Sequence, residues 1–154
     1  MTMGLGQGQE DDALTAAHFE LQIDRVQAKS KFSELAGISS SLDVVDFLES
    51  GGDKGTILKK LPGKRNPPTV TLRRGMTKNV EMDAWHQLAV EGNVPLARRT
   101  CTLTMFNTGG DPVAKYTLED AWPSRVEIGA LKAGATEVLI ETVTIVCEHI
   151  RREG

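Results

Sequence analysis

Leu118 to Arg152 reads LEDAWPSRVEIGALKAGATEVLIETVTIVCEHIRR, and the fold turns on how this stretch is understood. Within it, ATEVLIETVTIVCEHI is rich in Val, Ile and Thr, residues whose branched Cβ suits the pleated strand better than the helix. It reads as one long strand. One face carries Val138, Ile140, Thr142, Thr144 and Val146, the other Leu139, Glu141, Val143, Ile145 and Cys147. Both are largely apolar, so the strand is expected to be covered on both sides, at the centre of a folded unit or of an assembly. Ala121-Trp122-Pro123-Ser124 precedes it as a corner: proline fixes its own φ, pushes Trp122 toward an extended conformation and has no N–H for a central ladder.

Upstream, the alternation of Phe19, Leu21 and Ile23 with Glu20, Gln22 and Asp24 predicts a half-buried strand. Asp24-Arg25 turns the chain into a second strand over Val26 to Ala36, with Lys29, Lys31 and Ser33 on one face and Ser30, Phe32 and Glu34 on the other. In LDVVDFLES, Ser41 could cap a short helix that Gly51 ends, or the same residues could alternate on a strand. Gly51 to Pro68 is dense in Gly and Pro and is expected to be a long loop, a length that inside a small domain points to contact with something else. TVTLRR from Thr69 is a short strand. Asn79 can cap a helix to about Glu91, with Met82, Trp85 and Ala89 on its apolar stripe and Gly92 as its stop. Arg99–Phe106 and Val113–Leu118 form a hairpin around Asn107-Thr108-Gly109-Gly110-Asp111-Pro112. About seven strands and one helix give a mainly β fold, a barrel or sandwich with the helix packed on it. Residues 1–16 have little to bury and read as a flexible arm, leaving 17–154 as a single domain.

The 154 residues suit one domain with a real core, and a formal charge of −3 disfavours a partner bound through a strongly basic surface. No stretch approaches the roughly 18 apolar residues of a membrane helix, and the N-terminus lacks the basic and apolar regions of a secretion signal. Membrane insertion is therefore not expected. Cys101 and Cys147 lie in separate apolar strands without metal-ligand spacing and read as buried thiols suited to a reducing compartment. The chemistry of catalysis is thin: His18, His86 and His149 are scattered, and neither an HExxH pair nor a GxSxG elbow occurs. Gly4-Leu5-Gly6-Gln7-Gly8 has no preceding strand and no following GK[ST], so it is no phosphate loop. Asp43, Asp46 and Glu49 form an acidic row without the glycine and terminal glutamate of a calcium loop. Lys59-Lys60, Lys64-Arg65, Arg73-Arg74 and Arg98-Arg99 are basic pairs without interleaved aromatics, open to solvent or to the acids of a neighbour. No enzyme activity, cofactor or metal is expected.

Several of these segments together carry a resemblance. AWPSRVEIGALKAGATEVLIETVTIVCEH, FELQIDRVQAKSKFSELAG, DVVDFLESGGDKG, KLPGKRNPPTVTLRRGMTK, the helix around Trp85 and RRTCTLTMFN occur in the order seen in tail tube proteins of contractile phage tails and phage-tail-like contractile injection systems, from about residue 17 to residue 152. Arg25, Cys101 and Val146-Cys147 depart from that pattern. The resemblance favours a strand over Leu42–Ser50. It implies hexameric rings, each subunit lending strands to a shared inner barrel, stacked into a hollow tube inside a sheath. The partners it implies are other copies of the chain, a sheath protein, baseplate or tube-initiating proteins, and a lumen cargo, either DNA or a protein effector, with assembly in the cytoplasm. On that reading Gly51, Gly52, Asp53, Lys54, Lys60, Leu61, Pro62 and Gly63 contact the next subunit or ring. Lys29, Lys31, Ser33, Ser39 and Ser41 line the lumen, since an inner wall is wet on one face. The alternative is a discrete soluble carrier ring or a small-ligand-binding β-sandwich, for which one Tyr, two Trp and four Phe make a poor aromatic platform.

Overall fold

In the computed structural model, which describes residues 12–26, 29–51 and 55–154, the chain runs β1 (His18–Ile23), β2 (Lys29–Phe32), β3 (Glu34–Ser50), β4 (Thr56–Gly75), α1 (Glu81–Val90), α2 (Val94–Ala97), β5 (Arg99–Phe106), β6 (Pro112–Ala133), β7 (Thr136–Val146) and β8 (His149–Arg152). All pairings are antiparallel, in the order β2-β1-β5-β6-β7-β4-β3, with β8 beside β6. The two ends of that order, β2 and β3, are successive pieces of chain broken only at Ser33. The sheet therefore curls back on itself, and Ser33 N–H donates to the Arg73 carbonyl across the join at 3.0 Å. Among the described residues there are thus eight strands and two helices where the sequence suggested about seven and one. The single strand expected over Val26 to Ala36 is divided at Ser33.

The interior is filled from both sides of the curl by Phe19, Leu21, Ile23, Phe32, Val70, Leu72, Leu103, Leu118, Val143 and Ile145, with Met82 and Trp85 of α1 closing it. α1 lies where its sequence places it, although Val80 rather than Asn79 occupies the cap position. Asn79 Oδ1 accepts from the Glu81 N–H at 2.8 Å, one residue further out. The helix ends in a Schellman turn: Asn93 N–H reaches the Leu88 carbonyl at 2.9 Å, Gly92 N–H reaches Ala89 at 3.1 Å, and Gly92 takes φ 81°. Trp85 Nε1 donates to the Ala97 carbonyl at 2.6 Å and so fixes α2 against α1.

Three expectations are corrected. The C-terminal strand is covered on one face only: Glu141, Val143, Ile145 and Cys147 are buried, whereas Thr142, Thr144 and Val146 are half exposed and 136–139 lie open. Trp122-Pro123 does not break the chain. β6 runs through it with a bulge at Ser124, pairing with β5 and β8 up to Ala121 and with β7 from Trp122 onward, so the corner is a change of partner. Gly51 to Pro68 is not a loop, because β4 begins at Thr56 and pairs with β3 nearly to its end. Pro67 and Pro68 fall inside a register shift, and Pro62 pairs with Val44 at the border of a second one. Ser39↔Thr69 and Ser41↔Asn66 leave Pro67-Pro68 as the extra residues, and Leu42↔Arg65 and Val44↔Pro62 leave Gly63-Lys64.

Candidate functional site: an assembly surface

Two arms leave the curled body. The first is the outer part of β3 and β4, from Leu42 to Ser50 and back from Thr56 to Arg65, with no third strand beside it among the described residues. Cross-strand register puts Val45, Leu61, Phe47 and Ile57 on one face and Val44, Leu48 and Leu58 on the other. All are exposed, Leu48 at 68% and Val44 at 67%. The second arm joins β6 to β7 through the two-residue turn Gly134-Ala135, in which Gly134 takes φ 67°. Leu131 and Val138 lie across from one another on one face, Ile128 and Leu139 on the opposite one, and all four are exposed. An isolated two-stranded hairpin is at best marginally stable in water, and one that is apolar on both faces needs cover on both.

The residues assigned to inter-subunit contact fall on the first arm. Lys60, Leu61, Pro62 and Gly63 are on β4, and Gly51 stands just after β3 with its N–H bonded to the Gly55 carbonyl. Gly52, Asp53 and Lys54 lie outside the described residues. Two acids of the row are paired within the arm, Asp46 with Lys60 at 2.9 Å and Glu49 with Lys59, while Asp43 accepts from the neutral Asn66 Nδ2 at 3.1 Å. Charge therefore does not dominate this surface, and apolar area does. The second arm was missed in the sequence, although Gly134-Ala135 between Ile128, Leu131 and Val138, Leu139 is a two-residue turn between apolar strands.

A second feature is the outer face of the four strands β3, β4, β7 and β6, on the side away from the core. Register aligns its side chains in rows: Glu34, Arg73, Thr142 and Glu127, then Gly37, Thr71, Thr144 and Arg125, then Ser39, Thr69, Val146 and Trp122. The wall is hydroxyl-rich and its charges are paired, Arg73 with Glu34 and Arg125 with Glu127, each at 3.1 Å. Among the described residues both of its edges are open: β3 pairs only with β4, and β6 beyond Trp122 pairs only with β7. Ser39 is on this wall and Ser41 follows on the same strand, accepting from Asn66 at 3.2 Å. Lys29 and Lys31 also point away from the core, but from β2 beside β1, and Ser33 sits at the break between β2 and β3. The five residues expected on one lining face are thus divided between two parts of the surface.

Among the described residues no group of three or more His, Cys, Asp or Glu is placed to hold a metal. Among those residues no helix is long and apolar enough to cross a membrane. His86 Nδ1 meets the Pro123 carbonyl at 2.8 Å and ties α1 to the partner change in β6, while His149 contacts Arg65 at 2.8 Å. Cys101 and Cys147 are both buried and free. Burial raises their thiols to about 12 and about 11, the Cys147 charge adding to the effect on Cys101.

The described residues thus form a curled antiparallel β body with two open strand edges and two apolar arms that the subunit itself does not cover. The chain belongs to the family of the T4-like virus tail tube protein gp19, whose sequence model matches residues 15–151. Membership makes it a structural subunit of a tail-type tube, a component of a phage tail or contractile injection particle. Among solved structures the fold is similar to a chain of the anti-feeding prophage baseplate (TM-score 0.68, 21% identity, covering 93% of this chain and 96% of that one). It is likewise similar to one in the PVC extracellular contractile injection system sheath–tube complex in the extended state (TM-score 0.71, 16% identity, 97% of each). Hcp1 from Salmonella typhimurium is a more distant likeness (TM-score 0.55, 13% identity, 90% of this chain and 87% of that one). No curated protein matches the sequence.

Proposed function

We propose that six copies of this chain close into a ring and that rings stack into a hollow tube, a conduit for DNA or a protein cargo inside a contractile sheath. The observation that carries the reading is the pair of open edges on one four-stranded wall. Pairing the β6 edge of one copy with the β3 edge of the next removes both, as barrel closure does, and continues the wall from copy to copy. A head-to-tail contact of this kind closes into a ring when its rotation divides the circle. The hydroxyl-rich face with its paired charges then lines the lumen, which keeps Ser39 and Ser41 on the wall and moves Lys29 and Lys31 off it.

The arms supply the remaining contacts. The β3–β4 arm, apolar on both faces, is clamped between a neighbour in the ring and one in the next ring, so Gly51 and Lys60 to Gly63 act as part of a stiff hairpin. The tube works mechanically and does no chemistry of its own. Its assembly takes place in the cytoplasm, with sheath and baseplate proteins as its other partners. Negative-stain electron microscopy of the purified chain tests the reading: rings or tubes with a central channel are expected, and a monomer at every concentration would refute it.

A further inference from the structure

The end of the body at which β1 begins holds a cavity of about 500 Å³ lined by His18, Lys29, Lys31, Phe32, Arg74 and Asn79. Its charge is not fully used within the subunit. The Arg74 guanidinium is buried and lies over the Phe32 ring at 4.7 Å. Its Nε donates to Glu141 Oε2 at 3.3 Å, but its Nη2 has no hydrogen-bond partner among the described residues. Lys31 has no carboxylate within reach among those residues, and Lys29 has only Glu20 at 3.9 Å. A second observation stands opposite. The sequence has no Lys or Arg before Arg25, and its densest acidic run without a base is Glu10-Asp11-Asp12. Asp12 is exposed and forms no ion pair among the described residues, and Ala13 to Ala16 are exposed as well.

We infer that this cavity receives the acidic run Glu10-Asp11-Asp12 of a second copy of the chain, so that each subunit is tethered to its neighbour by an N-terminal strap. Reach permits it, since the six residues from Asp12 to Ala17 span up to about 20 Å when extended. Charge complementarity favours it: three carboxylates meet two under-used lysines above a buried guanidinium. A contact in trans fits Asp12 standing free in the single subunit although its own strand starts at the cavity wall. Because the lysines are at the surface, the strap is sensitive to salt and sets assembly more than folding.

The inference rests on the ring reading, and its test separates the two. Full-length chain carrying Asp12→Cys is mixed with full-length chain carrying Lys31→Cys, assembled, and mildly oxidised. A cross-linked dimer on a non-reducing gel is expected, and much less of it when Arg151→Cys replaces Lys31→Cys. The native thiols are buried and do not compete. No dimer above that control, or a cross-link that forms only within one chain when both substitutions are on the same copy, overturns the strap. In parallel, Lys29→Glu with Lys31→Glu is expected to raise the concentration needed for assembly several-fold without moving the thermal midpoint. Adding Glu10→Lys, Asp11→Lys and Asp12→Lys should restore it. Unchanged assembly or absent rescue in a wild type that forms rings refutes the strap alone, whereas a wild type that never assembles refutes the ring reading and the strap with it.

Discussion

Two parts of the same strand make opposite use of the same residue types. In β7, Val143 and Ile145 are 0% exposed beneath the curl, while Val138 and Leu139, a few residues earlier, stand 47% exposed on the second arm. The same holds along β4, where Val70 and Leu72 are buried and Leu58 and Leu61 are open. Hydrophobicity alone does not distinguish the halves. What differs is whether the subunit has a second layer to put against them, and in the arms it has none. The body is thus stabilised by its own packing, and the arms are left uncovered within the subunit, where the proposed ring reading puts another copy.

The largest effect that tests this division is at Ile145. Replacing it with Asp places a charge in a closed apolar interior, and a loss of about 3–5 kcal/mol is expected in urea unfolding followed by circular dichroism. A folded, monomeric Ile145→Asp chain would show that the interior is not where the curl puts it. Trp85→Phe removes the hydrogen bond to the Ala97 carbonyl and leaves that acceptor short of its donor, for a loss of about 1–3 kcal/mol by the same measurement. An unchanged midpoint would mean that α2 is held by something else. A smaller gain is expected at Arg25, whose φ of 71° is a conformation that L residues adopt at some cost. Arg25→Gly should raise stability by up to about 1 kcal/mol, the relief of strain exceeding the glycine's greater unfolded entropy. The thiols give a pH dependence. Both folded pKa values lie above the unfolded value, so their contribution is intact below about pH 9 and declines as pH rises toward about 11 and about 12. At pH 8 neither should react with a thiol reagent until the chain is unfolded, and rapid labelling of the native protein would place them at the surface.

The body was largely legible in the sequence because its signals are local. Strict alternation over Phe19, Leu21 and Ile23, the glycine stop after α1 and the turn at Gly110, with φ 84°, each follow from a few neighbouring residues. The place of Arg25 after Asp24 likewise marked a turn that the structure builds with positive φ. The arms were less legible because their strands break local rules. Pro62, Pro67 and Pro68 read as loop until the pairing of β3 with β4 shows bulges at or beside them, and bulges depend on the partner strand. The expectation that the long C-terminal strand is covered on both faces failed for a related reason. Thr142 and Thr144 pack tolerably against a half-wet surface, and period-two reading cannot say which face that is. That the residues expected on one lining face fall on two parts of the surface was not legible, since Lys29 and Ser39 look alike as exposed polar residues until Ser33 is seen to separate their strands.

If the arms belong to the assembly and not to the subunit, Leu48→Asp separates the two. Leu48 is among the most exposed apolar residues of the β3–β4 arm. Light scattering coupled to size-exclusion chromatography, run beside thermal unfolding on wild type and variant, should show wild-type rings or tubes and a variant reduced to monomer. The variant's isolated-subunit stability should stay within about 0.5 kcal/mol of the wild type. A Leu48→Asp chain that assembles as the wild type does, or one that unfolds, would contradict it.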